Sequence, residues 1–424
     1  MINSFKASGT TFNLEFDIEL EKDKQVYCFI GENGVGKTKL LETMCNAVLY
    51  GHSLFKKESK LNKTIYSLEE INKKIHQLKI ITPKVLEVNN IVIKDEVYDL
   101  EKIGNICFKK NPVLFYNPFS YVGAQNRGYG LKGNTEAIKL LGSKASEFRN
   151  NFLRTYNNLY NIEIDKNTVA DWFITRILSN SSLVIKGSDA FKEVIFLSKI
   201  LKDLEEDNLK DLIKTNKDSI KLLIYLNEGK LMFNNIPFQH LSTGYMAIMK
   251  IIQEIIDVYS SWNFENDEDM FNKKAIFFID ELEAHLHPKW ENKFIPLLRK
   301  YFPKAIFYIA THSPLVISSV EDGEAYELIR KENKVSAKKL KNPKNWYWED
   351  LFSQAFHVES NKEESFEETR DDFEKFADLV KLFRKNKDEA TKKEAVLIYS
   401  NILENLADED PRKITLESLY KLLG

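Results

Sequence analysis

The chain has 424 residues, of which 43% are hydrophobic and 29% charged, and its net charge at pH 7 is -2. Such a balance belongs to a globular protein with a sizeable core and more than one structural unit, not to a disordered chain. It also excludes a global basic field, so any grip on nucleic acid must come from a local patch. No apolar run reaches the length of a membrane span, and "MINSFKASGTTFNLEF" lacks an apolar signal core. Cys28, Cys45 and Cys107 are few and scattered, which fits small buried hydrophobes in a reducing compartment. A cytoplasmic protein that does not enter the membrane is expected.

From Phe12 to Leu20, apolar Phe12, Leu14, Phe16, Ile18 and Leu20 alternate with polar residues, predicting a strand with one buried face. "QVYCFI", Gln25 to Ile30, is nearly continuous in apolar residues, as in a parallel strand buried on both faces. "GENGVGKT" follows, and good helix formers run from Lys37 to Val48. From Gly51 to Lys230, amphipathic Lys- and Glu-rich stretches alternate with strand-like pieces, and helical patterns dominate from Thr135 to Lys214. "KLLIYLNEGKLMF" reads as a hairpin turning at Asn227–Gly229. "HLSTGYMAIMKIIQEII" reads as a helix with Ser242 at its start and Met249, Ile252 and Ile256 on an apolar side. Two further buried strands are predicted at "KAIFFID" and "KAIFYIATH", then a hairpin around Glu332–Asn333 and charged helices to the end.

"GENGVGKT" fits G-x-x-x-x-G-K-[ST], with a strand before it and a helix after it. Gly31, Gly34 and Gly36 let the backbone wrap so that N–H groups face phosphate oxygens, with Asn33 inside the same loop. The helix N-terminus adds partial positive charge there. Lys37 would reach the β- and γ-phosphates of ATP, and Thr38 would put a hydroxyl on Mg²⁺.

"AIFFIDELEAHLHP" ends its strand in Asp280 and Glu281, at the strand end where open parallel sheets bind ligands. Neighbouring side chains on a strand point opposite ways. Asp280 can therefore hold Mg²⁺ while Glu281 serves as general base or water-orienting group. His285 and His287, near Glu283, have the spacing of a metal site, but too few ligands lie nearby in sequence. A helix start before Pro288, or a loop facing a neighbouring subunit, is the favoured reading. "YIATHSPLVISS" puts Thr311, His312 and Ser313 at a third strand end, where an imidazole could bond the γ-phosphate and sense its loss.

The P-loop, "LSTG", "FFIDELEAHLHP" and "THSP" occur in the order of the ABC/SMC-type ATPase fold. "IDELEAHLHP" with "THSPLVISS" resembles most the branch of AAA-family ATPases that holds the OLD ATPases and the Septu (PtuA-like) subunits of bacterial anti-phage defence. The resemblance covers Met1 to about Gly51 and Leu231 to about Val320. It implies an α/β class: an ABC-type P-loop head with a large, mostly helical insertion and a small helical C-terminal region. The corresponding divisions are an N-lobe over 1–50, the insertion over 51–230, a C-lobe over 231–330 and an interaction region over 331–424.

The same resemblance makes Asp280 and Glu281 the Mg²⁺ and catalytic carboxylates, Ser242 and Gly244 the signature residues, and His312 the switch histidine. The signature would cap ATP held by a partner subunit, so a homodimer or higher oligomer is implied. In two departures, Tyr245 stands where the family commonly has an acidic or amide residue, and the Mg²⁺-contacting Gln is best matched by Gln125. OLD relatives carry a C-terminal Toprim nuclease, whereas about a hundred residues follow "THSP" here and read as a hairpin and helices. The implied function is a sensor ATPase for a separate HNH- or Toprim-type effector nuclease. The alternative is a DNA-repair or chromosome-type ABC ATPase without a nuclease partner. "KKLKNPKNWYWED" could hold a nucleic-acid strand, or could be a loop anchored by Trp346 and Trp348 in a small core.

Overall fold

The computed structural model describes residues 1–53, 83–94, 112–124, 143–160, 169–179, 190–204, 224–227, 230–233, 236–263, 269–346, 364–405 and 416–423 apart from 418. They fall in two compact units, Met1–Phe356 and His357–Gly424.

The first unit is built on one ten-stranded sheet. Its strands are β1 (Ser4–Ser8), β2 (Glu15–Glu19), β3 (Val26–Ile30), β4 (Val85–Val88), β5 (Ile91–Lys94), β6 (Phe119–Val122), β10 (Ala275–Ile279), β11 (Ala305–Ala310), β12 (Ala325–Lys331) and β13 (Lys334–Lys339). The intervening β7 (Ile224–Asn227), β8 (Lys230–Phe233) and β9 (Ile236–Pro237) form a separate three-stranded sheet. The order in the large sheet is β5-β4-β1-β2-β13-β12-β3-β11-β10-β6. From β12 to β6 every pairing is parallel, which puts the carboxyl ends of β3, β10 and β11 on one edge of the layer.

Side-chain period assigns the two faces. Val26, Cys28 and Ile30 of β3 enter one core, and Tyr27 and Phe29 enter the other. All five β3 residues are buried, as expected of a strand covered on both sides. Helix α1 (Lys37–Tyr50) fills the second core with Leu40, Leu41, Met44 and Val48. Cys28 and Cys45 are buried hydrophobes in these layers, and Cys107 lies outside the described residues.

Three expectations need correction. The alternation predicted from Phe12 starts only at Leu14. Thr11–Asn13 is a 3-10 turn with φ of 65° at Phe12 and 55° at Asn13, closed by the Thr10 hydroxyl donating to the Leu14 carbonyl at 2.7 Å, and Phe12 is 72% exposed. The mixed, mostly helical stretch 51–230 is not wholly an insertion, because its β4 and β5 extend the main sheet beyond β1 and its β6 pairs with β10. The boundary drawn after 330 cuts β12. That strand and β13 form the expected hairpin inside the main sheet, with Val335 buried in its core.

The helices α2 (Lys144–Tyr160), α3 (Val169–Ser179) and α4 (Ala190–Leu204) come from the 51–230 stretch. They change the reading of the next helix, α5 (Thr243–Trp262), which is buried almost all round from Met246 to Ser261. A single apolar side was expected, but neighbouring helices cover the opposite side and answer its buried Asp257. Asp257 is the centre of that answer. It accepts from Arg154 Nη2 of α2 at 2.8 Å, from Trp172 Nε1 of α3 at 2.6 Å and from Arg176 Nη2 of α3 at 2.7 Å. Arg176 also pairs with Glu193 of α4. Burial alone would raise the Asp257 carboxyl, but Arg176 and Arg154 hold it below the usual carboxylate range.

Helix α6 (Pro288–Tyr301) packs on the same face as α5, and α7 (Pro314–Ile317) follows β11. The second unit contains α8 (Glu364–Asn386) and α9 (Glu389–Asn405), whose Phe376, Val380, Ala395 and Ile402 share a core of their own. Among the described residues, no helix is long and apolar enough to cross a membrane.

Asp257→Ala should destabilise the chain by about 3 kcal/mol, because Arg154 and Arg176 lose a buried counter-charge together. Chemical denaturation of the variant measures this; unchanged stability would show that the cluster does not hold the helices to α5.

Candidate functional site

The turn leaving β3 is shaped by its glycines. Gly31 has φ of 144°, and a Cβ there would sit 2.9 Å from the Leu328 carbonyl of β12, so only glycine fits. Gly36, at φ 113°, occupies the N-cap of α1. Asn33 and Gly34 are exposed at the tip of the loop. Lys37 is only 6% exposed, and its ammonium donates to the carbonyls of Gly31 at 2.8 Å and Glu32 at 3.0 Å. Burial lowers its pKa to about 8, against the opposing pull of Glu283, Asp280 and Glu281. From β12, Arg330 Nη1 donates to the Gly34 carbonyl at 3.2 Å, a brace on the loop that no sequence motif announces.

The Walker-type carboxylate meets this loop directly. Asp280 follows β10, is 6% exposed, and its N–H donates to the Val122 carbonyl of β6 at 3.0 Å. Thr38 Oγ1 donates to Asp280 Oδ1 at 3.1 Å, and Tyr121 OH donates to Oδ2 at 3.5 Å. The hydroxyl and carboxylate are hard oxygen donors that converge on one point, which fits Mg²⁺. Glu281 is exposed beside buried Asp280. Its φ of 46° shows that a left-handed turn, not strand alternation, sends the two side chains apart. Gln125 lies outside the described residues, immediately after Gly123 and Ala124 at the exit of β6.

At the third strand end, Thr311 Oγ1 and the His312 N–H both donate to Glu283, each at 2.6 Å. His312 is half-buried, and its imidazole is held below the usual histidine range by burial and then by Lys37. Both causes favour the neutral ring. The Ser313 hydroxyl donates to Glu291 of α6 and accepts from the Val316 N–H at 3.2 Å. Sequence reasoning weighed Glu283 only as a metal ligand beside His285 and His287, and it missed Glu291. The only linear signal of the two glutamates is that they share the segment running on from Asp280.

Ser242 and Gly244 lie at the start of α5, against a different neighbour. Ser242 is the N-cap and accepts from the Tyr245 N–H at 3.4 Å. Gly244 is pressed on the "HLHP" turn: a Cβ there would meet the His285 carbonyl at 3.0 Å and Trp290 Cζ3 at 3.1 Å. Tyr245, unexplained by sequence, stands edge-on to Trp290 with centroids 4.8 Å apart and packs on Phe233 at 5.5 Å. An aromatic ring there joins α5 to both α6 and the small sheet. His287 caps α6, its Nδ1 accepting from the Lys289 N–H at 3.2 Å ahead of Pro288 at N1. Among the described residues, no group of three or more His, Cys, Asp or Glu could hold a metal ion, and Glu283 is turned toward Thr311. Trp346 is anchored on the main core with Nε1 donating to the Lys341 carbonyl at 2.8 Å, while Trp348 lies outside the described residues.

A parallel sheet that delivers a P-loop, an Asp–Glu pair and a histidine to one edge, with a serine-capped signature helix beside it, defines an ABC-type P-loop ATPase. Comparison with known proteins carries this one step further. Residues 270–318 match a family described as "AAA domain, putative AbiEii toxin, Type IV TA system". The chain is 24% identical over 361 residues to the Septu protein PtuA of Bacillus mycoides (strain KBAB4), covering 81% of this chain and 42% of that protein. It is 26% identical over 218 residues to the Septu protein PtuA of Bacillus thuringiensis, covering 49% and 52%. It is 30% identical over 131 residues to the retron Ec83 probable ATPase of Escherichia coli, covering 29% and 23%. The chain spans about half or less of the length of these curated relatives, 42% and 52% for the Septu proteins. The fold and the site are thus those of an ABC/AAA-type ATPase, and the sequence is similar to Septu and retron ATPase proteins.

Gly244→Ala should cost about 1–3 kcal/mol, since the new methyl meets a backbone carbonyl and a packed indole that cannot both yield. Thermal or chemical denaturation would register it; wild-type stability would mean that α5 and the "HLHP" turn separate freely.

Proposed function

We propose that the protein binds ATP with Mg²⁺ and hydrolyses it at composite sites shared by two copies arranged head to tail. In this reading it is a cytoplasmic sensor subunit that restrains or releases a separate HNH- or Toprim-type effector nuclease in bacterial anti-phage defence. The observation that carries the reading is the meeting of Thr38 with Asp280 at 3.1 Å, with Lys37 buried beside them.

The loop N–H groups between Gly31 and Thr38 and the N-terminus of α1 hold the phosphates. Lys37 leaves its carbonyl partners for the β- and γ-oxygens and offsets their charge. Thr38 and Asp280 would hold Mg²⁺, which when bound neutralises charge on the β- and γ-phosphate oxygens. Glu281, exposed beside them, orients a water in line with the γ-phosphate and takes its proton as the new P–O bond forms and the bond to the β-bridging oxygen breaks. The His312 ring can donate a hydrogen bond to the γ-phosphate, and loss of that phosphate removes its partner. Ser242 and the α5 N-terminus of the second copy close the site from the other side.

Two variants separate binding from chemistry. Lys37→Ala should lose ATP binding. Glu281→Gln should bind ATP with wild-type affinity, turn it over roughly 10²-fold more slowly and accumulate the closed dimer. Equilibrium binding of a fluorescent ATP analogue, phosphate release and size-exclusion chromatography measure the three quantities. Wild-type turnover by Glu281→Gln would assign the water to another residue.

A further inference from the structure

Glu283 lies inside "FFIDELEAHLHP" with no part assigned to it in binding or hydrolysis, yet both of its oxygens are committed at the site. Oε2 accepts from Thr311 Oγ1 and Oε1 from the His312 N–H, each at 2.6 Å. Short bonds to a carboxylate are the strong ones, and a pair of them fixes direction as well as distance. The Thr311 hydroxyl in turn accepts from the Ser313 N–H at 3.0 Å, and the Leu282 N–H donates to the Ala310 carbonyl at 3.1 Å. The exits of β10 and β11 are thus fastened side by side, by one side chain and one backbone bond. Its charge also reaches the working residues: Glu283 is the first of the three acids that oppose the lowering of the Lys37 pKa, and it acts on His312 as well.

We propose that Glu283 is a positioning residue for hydrolysis: its carboxylate grips the backbone of His312 and the hydroxyl of Thr311, so that the imidazole is aimed at the γ-phosphate held by Lys37. The proposal rests on the hydrolytic reading above. What matters in it is reach, because the two accepting atoms must lie where the strand end presents its donors. Charge is secondary, since a glutamine of the same length can accept from the His312 N–H through its carbonyl and donate to Thr311 through its amide.

Steady-state ATP hydrolysis by Glu283→Asp, Glu283→Gln, His312→Ala and the Glu283→Asp/His312→Ala double variant tests this. Glu283→Asp keeps the charge but draws the carboxylate back by a methylene, and its kcat should fall about tenfold with KM within about threefold of wild type. Glu283→Gln keeps the reach and should stay within about threefold of wild type in kcat. In the His312→Ala background, Glu283→Asp should cause no further loss, because the two residues act as one unit. Three results would overturn the proposal: a slower Glu283→Gln than Glu283→Asp, a Glu283→Asp at wild-type rate, or an undiminished loss in the double variant. A wild-type chain without ATP turnover would sink the hydrolytic reading first, and that control tells the two failures apart.

Discussion

The hydrogen bond from Thr38 to Asp280 joins residues 242 positions apart, and the site depends on that meeting. It exists because three parallel strands keep their register. Cys28 of β3 pairs with Ile309 of β11, and Ile309 pairs with Ile279 of β10. Their carboxyl ends therefore stop at the same level. From that level β3 delivers the glycine loop, β10 delivers Asp280, and β11 delivers Thr311 to Ser313. A slip of one residue along β10 would turn its buried faces over and carry Asp280 away from Thr38. The apolar continuity of these strands, which fixes the register through burial on both faces, is thus the physical origin of the polar site at their ends.

A second constraint governs the signature helix. α5 is covered on every side, so its polar residues need partners inside the protein, and Asp257 finds them on α2 and α3. The start of the same helix is held by Gly244 against His285 and by Tyr245 against Trp290. Trp290 is followed by Glu291, which holds Ser313 next to His312. A run of packed and bonded groups therefore leads from the surface proposed to meet a partner's nucleotide to the histidine proposed to read the chain's own. The helices of the 51–230 stretch attach to the same α5 through Asp257.

Much of this was legible in the sequence where chemistry and local period coincide. The P-loop, the strand ends at Asp280 and His312, both hairpins and the capped start of α5 all follow from short-range patterns. The parts that were not legible depend on contacts between distant segments. Glu283 looks like one more acid in "DELEAH", and only the adjacency of β10 and β11 gives it donors. Arg330 sits in an ordinary hairpin and acquires its role because β12 lies beside β3. Phe12 continues an alternation that a Thr10 hydroxyl bond interrupts, and no period count foresees that bond. β4, β5 and β6 are four-residue strands in a stretch whose strand-like pieces the sequence shows, but no local pattern says that they extend both ends of the sheet. Tyr245 departs from its family pattern for a packing reason, visible once Trp290 and Phe233 are beside it.

The central claim is that a working site takes Lys37 from one copy and Ser242 from another. Hydrolysis by a mixture of Lys37→Ala chains with Ser242→Arg chains tests it most directly. Neither variant should turn over ATP alone, since every site in either homodimer lacks one of the two groups. A mixed pair restores one complete site, so the mixture should recover a substantial fraction of wild-type hydrolysis. Full activity of the Ser242→Arg chain alone, or no recovery on mixing chains that still associate, would contradict the shared site.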